Sequence, residues 1–336
     1  MRFTKLLPLL LLLALGSCKS DPKPEIEVPN PVWSIVHSQD SIVWFSLGFY
    51  DAENGIVSGA RLDHEGYLRG NILMKTGNSG QSWEEVPTTG MPVFTDIVFI
   101  DKNIALATAQ SSIYRTVNGG ADWAPVYVNS TVSPEAIAFA DQNNGLVTGL
   151  FGLVLKTTDG GLSWNLQPSG YHCQLGDVEM TDSNTAYAAG YWNQTDHLYG
   201  AILITRDGGT HWDSIPTGQV MCNTLSFPSK NTGYVFGTSL SAGVLLKTTD
   251  AGQTWETMIQ PAFNGVISTS FVDSPNGYAV GQNGQIIHTN DYGQNWENME
   301  SNTTASFHRI QMIDKNNGYA AGFDEVAKKG VVLRYR

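Results

Sequence analysis

The chain is poor in charge. Only 15% of its 336 residues are Asp, Glu, Lys or Arg, well under the usual quarter, which excludes long solvent-facing helices laced with paired charges. Bases are scarcer than acids, 19 against 31, giving a formal charge of -12. A broad phosphate-binding surface needs the opposite balance, so nucleic acid is not an expected partner. The one strongly apolar run, Leu6 to Leu15, is interrupted by Pro8 and is too short to cross a bilayer as a helix. Three cysteines and seven scattered histidines form no zinc-spaced cluster, and no phosphate loop, calcium loop or nucleophile elbow occurs. No metal or cofactor is expected. What is abundant is apolar residues (41%), glycine (35 residues) and aromatics (10%). That mixture builds a core from short strands joined by tight turns, an all-β fold.

The N-terminus reads as a processed leader. Arg2 and Lys5 precede the apolar run, as in a signal peptide, and Leu15-Gly16-Ser17-Cys18 resembles a bacterial lipobox. Residues 1–17 are therefore expected to be a lipoprotein signal peptide, with Cys18 lipidated. Residues 18–32, with Pro22, Pro24, Pro29 and Pro31, form a flexible tether. This places the mature chain in the bacterial cell envelope, lipid-anchored at the outer membrane on its periplasmic or surface side. Cys173 and Cys222 occupy similar places in successive repeats, slightly out of register; two buried free thiols are expected, with a disulfide as the alternative.

From residue 33 onward the chain repeats. Trp83, Trp123, Trp164, Trp212, Trp255 and Trp296 are spaced by 40, 41, 48, 43 and 41 residues. Seven residues before each lies Thr76, Thr116, Thr157, Thr205, Thr248 or Thr289. Five before lies Asn78, Asn118, Asp159, Asp207, Asp250 or Asp291, and three before lies a glycine. An Asx side chain accepting N–H bonds, a glycine at positive φ and a tryptophan to bury define a structural turn. The segments between these turns repeat as well, as in Asp314-Lys-Asn-Asn-Gly318-Tyr-Ala-Ala-Gly322. Each unit then holds four short strands over 40–45 residues, the period of a propeller blade. Inner strands end near Asp51, Asp101, Asp141, Asp182, Ser229, Asp273 and Asp314, which predicts seven blades of four antiparallel strands. The last unit stops after its third strand, and Pro31-Val32-Trp33-Ser34-Ile35-Val36 supplies the missing fourth. Residues 33–336 are thus expected to form a ring closed by an N-terminal strand.

The repeated turn is similar to the Asp box, or bacterial neuraminidase repeat. Asn317-Gly318-Tyr319-Ala320-Ala321-Gly322 and Thr157-Thr158-Asp159-Gly160-Gly161 resemble the photosystem II stability/assembly factor family of seven-bladed propellers. The resemblance implies a protein- or ligand-binding module whose partner is another envelope protein or a glycan, with the membrane touched only through the lipid anchor. A monomer is expected. The basic patch described for that family has no equivalent in this acidic chain. Asp boxes also occur in sialidases, but the Arg-Ile-Pro motif and three-arginine clamp of those enzymes are lacking. The alternative reading is a glycoside hydrolase using two carboxylates on the loop-rich face.

Topology selects that face. The Asp-box turns share one face with the turns between first and second strands. The opposite face carries the inter-blade connectors and the turns between second and third strands, where length varies. Candidate ligand-binding residues there are Tyr67 and Arg69, His172, Tyr191 and Trp192, Asp196, His197 and Tyr199, with Arg309 at the start of an inner strand. Trp192 lies outside the repeat register, and either anchors a ligand with Tyr191, Tyr199, Tyr67 and His197 or packs locally. Asp196 and His197 are expected to be a solvated loop pair.

Overall fold

The computed structural model describes residues 32–194, 197–240 and 242–336. The signal segment 1–17, Cys18, the tether up to residue 31, Asp196 and the side chain of His197 lie outside the described residues. The twenty-eight strands pair into seven four-stranded antiparallel sheets, a seven-bladed β-propeller. Blade one runs from the inner strand Ile42–Phe49 through Gly55–Leu62 and Leu68–Thr76 to the outer strand Glu84–Val86. Blades two to six begin with the inner strands Asp96–Phe99, Pro134–Phe139, Gln174–Met180, Met221–Ser226 and Val266–Phe271. Blade seven takes Ser306–Asp314, Asn317–Asp324 and Lys329–Tyr335 from one end of the chain and its outer strand, Trp33–Asp40, from the other. Trp33 pairs with Tyr335 and Asp40 with Lys329. The ring is therefore closed by hydrogen bonds and leaves no gap between first and last blades.

The repeated turn is rigid because each of its side chains serves the backbone. Thr157 donates its hydroxyl to Asp159 Oδ1 (2.8 Å) and accepts from Gly161 N (3.0 Å), while Asp159 Oδ1 accepts from Ser163 N (3.0 Å). The same three bonds recur at Thr76, Thr116, Thr205, Thr248 and Thr289. Asparagine serves at positions 78 and 118 because only the acceptor oxygen is needed. Gly120 sits at φ 86°, and a Cβ there would lie 2.1 Å from Ile56 Cδ1 of the neighbouring blade. Two requirements, left-handed backbone and close approach, thus converge on one position.

The core lies between blades, in seven clusters each shared by adjacent sheets. The tyrosine that follows Asn-Gly or an equivalent pair stacks on a phenylalanine ending the next blade's inner strand. Tyr187 meets Phe227 at 3.6 Å between ring centres, Tyr234 meets Phe271 at 3.9 Å, and Tyr319 meets Phe49 at 3.7 Å. Each such pair adds about 0.5–1.5 kcal/mol beyond area burial. Cys173 and Cys222 are both buried free thiols, Cys173 in the cluster between blades three and four and Cys222 in the one between four and five.

Candidate functional site

Each inner strand is the free edge of its sheet, so its unpaired N–H groups need acceptors. In five of the seven inner strands the preceding blade supplies acceptors from its side chains, at one or two levels. At the first, Asp96 Oδ2 accepts from Ile137 N (3.0 Å) and Asp177 Oδ2 from Leu225 N (2.9 Å). Thr224 and Ser268 continue the ring, accepting from Thr269 N (3.3 Å) and Ile310 N (3.2 Å). Two residues further along each strand, Glu179 Oε2 accepts from Phe227 N (2.9 Å) and Ser226 from Phe271 N (3.2 Å). Ser270 and Gln311 complete this second level with Met312 N (3.0 Å) and Phe49 N (2.8 Å). A bulge precedes the first level in six inner strands, as at Leu175/Asp177 and Phe307/Arg309, and resets which side chains turn toward the next blade.

Arg309 occupies the first-level place in blade seven but has no acceptor to offer. Its guanidinium instead reaches Asp96 Oδ1 at 2.6 Å and Asp177 Oδ1 at 3.9 Å. The residue expected to begin an inner strand is the fourth of Ser306–Asp314 and lines the central cavity, of about 370 Å³. Burial raises the Asp96 carboxyl above its ordinary range, with Arg309 opposing the shift. Glu179 receives less help, and burial pushes its carboxyl up to about 7. Asp96 also accepts from Ile97 N, and Asp177 from Val178 N and the Thr224 hydroxyl. Both carboxylates are thus occupied in joining blades. The cavity's aromatic lining is Phe49, Phe99, Phe139 and Phe271, with no Trp or Tyr to stack on a sugar.

The channel acids were not among the residues singled out from sequence, although a signal exists. The first-level residue stands five positions before the turn Asp or Ser in every blade: Ser46, Asp96, Ala136, Asp177, Thr224, Ser268 and Arg309. Arg115 and Arg206 reach the carbonyls of Gly160 and Ala251 in the next blade's turn, which keeps them in the scaffold and away from the channel.

The remaining candidates fall in separate places on the connector face. In blade one, Arg69 lies 5.8 Å from the Tyr67 ring and pairs with Asp63 at 3.1 Å. Three blades further round, Trp192 meets Tyr171 edge-on at 6.1 Å and packs onto the core between blades three and four. Part of its ring is thus engaged in local packing. Tyr191 and His172 flank Phe151, with His172 and Phe151 rings 5.2 Å apart, and line a groove of about 330 Å³. Phe151 adopts φ 59°, a left-handed conformation costing roughly 1–2 kcal/mol, and its ring points out with 68% exposure. A second groove of about 650 Å³ lies on its other side, against Val132, Leu166 and Tyr171. Tyr199 is exposed in the same blade-four hairpin.

No family model matches the chain, and no curated protein matches it in sequence. In fold it is similar to the solved structure of YCF48 bound to D1 peptide, at 16% identity and TM-score 0.68, covering 90% of this chain and 96% of that one. YCF48 from Cyanidioschyzon merolae is 16% identical at TM-score 0.70, covering 91% and 99%. The GH74 xyloglucanase from Xanthomonas campestris is 10% identical at TM-score 0.58, covering 88% of this chain but 60% of the enzyme. At these identities the likeness establishes architecture, and the chain is a seven-bladed β-propeller with the fold of YCF48.

Proposed function

We propose that this chain is a non-catalytic protein-binding module of the bacterial cell envelope, held there by a lipid on Cys18 and a tether over residues 18–32. The observation that carries the reading is the use of the channel carboxylates. Asp96 and Asp177 are consumed by backbone N–H groups and by Arg309, whereas aromatic side chains stand exposed on the connector face. A propeller of the same fold holds a D1 peptide, which favours a protein segment over a glycan as ligand. The candidate contacts are Tyr67, Arg69, His172, Tyr191 and Tyr199, together with Asp196 and His197 from the sequence.

A second reading, a glycoside hydrolase, draws on the GH74 neighbour and on Glu179, whose pKa of about 7 suits a general acid. It lacks uncommitted carboxylates at the cavity, Glu179 itself accepting from Phe227 N, and it lacks a Trp or Tyr platform. Affinity capture from envelope extracts with residues 33–336, followed by titration of the recovered protein, should give a saturable complex. Turnover of a glycan library with no such complex would refute the binding reading.

A further inference from the structure

The latches around the channel stop short on one side. At the second level Glu179, Ser226, Ser270 and Gln311 hold the inner strands of blades five, six, seven and one. The equivalent places in blades one, two and three are Gly48, Val98 and Ala138, which carry no acceptor side chain. The donors facing them are Phe99 N, Phe139 N and Met180 N. Among these, Phe139 has the most open surroundings. A Cβ at Gly48 would lie 2.7 Å from Ile97 Cγ2, so the space before Phe99 is filled, whereas Val98 and Phe139 both line the cavity of about 370 Å³. The bond from Ala140 N to Asn144 O (2.9 Å) fixes the alternation in blade three. Ala138 is then tied to Leu146 within the ladder, and Phe139, opposite Gly145, turns both its N–H and its C=O to the free edge. A backbone pair left without partners away from water is costly, so a guest that meets both groups is bound favourably.

Gln311 shows which chemistry meets such a pair. Its Nε2 donates to Phe49 O (3.0 Å) and its Oε1 accepts from Phe49 N (2.8 Å), so one planar primary amide satisfies the whole edge of a residue. The aromatic lining is uneven in the same way. Tyr187, Tyr234 and Tyr319 stack on Phe227, Phe271 and Phe49, but Ile56 and Leu106 stand in the tyrosine's place before Phe99 and Phe139. Those two phenylalanines are only partly buried and line the cavity. An open hydrogen-bonding edge and two unstacked rings therefore share the wall formed by blades two and three. Arg309 already faces Asp96 and Asp177, so the site does not call for a charged ligand.

We propose that the central cavity binds a small, uncharged, planar molecule bearing a primary amide or cyclic lactam. Its amide pairs with the N–H and C=O of Phe139 as the Gln311 amide pairs with Phe49, and its flat body lies beside the rings of Phe99 and Phe139. The cavity falls within the range of about 300–1,000 Å³ usual for small-molecule sites. This site is separate from the protein-binding reading above, whose candidate residues lie on the connector face, and either can fail without the other.

The test titrates benzamide into the full-length, isotope-labelled protein and follows the backbone amide resonance of Phe139. A saturable downfield shift is expected, with an affinity of about millimolar for so small a probe. Methyl benzoate, which has no donor, and benzoate, which has none either, should bind about tenfold more weakly. Val98→Gln recreates the Gln311 arrangement one junction away, latching Phe139 from within. It should weaken benzamide by about the same factor while the melting temperature stays at or above that of the wild type. Should that variant not fold, the three probes on the wild type decide alone. Equal binding of benzamide and methyl benzoate would overturn the inference by showing a purely apolar cavity. Tighter binding of benzylammonium would overturn it in favour of a cation beside Glu179, and the absence of any shift would overturn it outright.

Discussion

Replacing Glu179 with Gln should separate the ring's stability from pH. Burial raises the Glu179 carboxyl from an ordinary 4.5 to about 7, so the folded state prefers the protonated form. A raised folded pKa means that the contribution is fully present below the unfolded value and is lost as pH rises through 7. At about 1.36 kcal/mol per unit, the wild type should lose roughly 3 kcal/mol through this one group between about pH 4.5 and 8. Burial lowers the pKa of His37 and His288, and these groups act with the opposite sign, adding stability as pH rises through 6.5. They are common to both proteins, so the difference between wild type and Glu179→Gln isolates the carboxyl. The amide oxygen still accepts from Phe227 N, which keeps the latch. Urea unfolding followed by tryptophan fluorescence across this range gives the difference directly. It should be near zero below about pH 4 and approach 3 kcal/mol in favour of the variant at about pH 8.5. Parallel stability curves for the two proteins would refute the assignment of a channel acid whose surroundings favour its protonated form.

Other perturbations follow from the same geometry. Arg309→Met leaves Asp96 and Asp177 without a counter-charge and should cost about 3–5 kcal/mol by urea titration; a wild-type midpoint would remove the clamp from the account. Trp33→Ala empties a site 2% exposed between Tyr278 and Tyr335 and should cost roughly 3–5 kcal/mol, read by thermal melting. Thr157→Val deletes one donor and one acceptor in a repeated turn and should cost about 1–2 kcal/mol, measured by calorimetry. The thiols of Cys173 and Cys222 are pushed up to about 11 and about 12 by burial. Both should resist Ellman's reagent at neutral pH when folded and react once the chain is unfolded in urea.

The architecture was legible because its signal is periodic: one threonine, one Asx, one glycine and one tryptophan at fixed offsets place every turn, and the turns place the strands between them. Even ring closure was readable, since Trp33 and the truncated last unit complement one another. The channel was not read, because its groups are dispersed singly: Asp96, Asp177, Glu179 and Arg309 come from three blades and meet only when the ring closes. A bulge in the inner strand also shifts alternation by one residue, so a simple period of two misassigns which side chains face the next blade. Trp192 illustrates the other difficulty. A tryptophan outside the repeat stands out in the sequence, but its neighbour Tyr171 lies in the connector and carries no signal that pairs the two.

The pairing of Trp33–Asp40 with Lys329–Tyr335 has a bearing on how the chain reaches its folded state. The first strand to leave the ribosome finds its partner only after nearly three hundred further residues have been made. Until then blade seven cannot exist, and blades one and six each lack a neighbour. The six complete blades can pair locally as they emerge, but their closure into a circle is a single late event whose entropy cost grows only slowly with the length enclosed. During synthesis the exposed strand edges are sticky surfaces for other chains. Folding yield, more than final stability, is where a defect at either end of this protein should register.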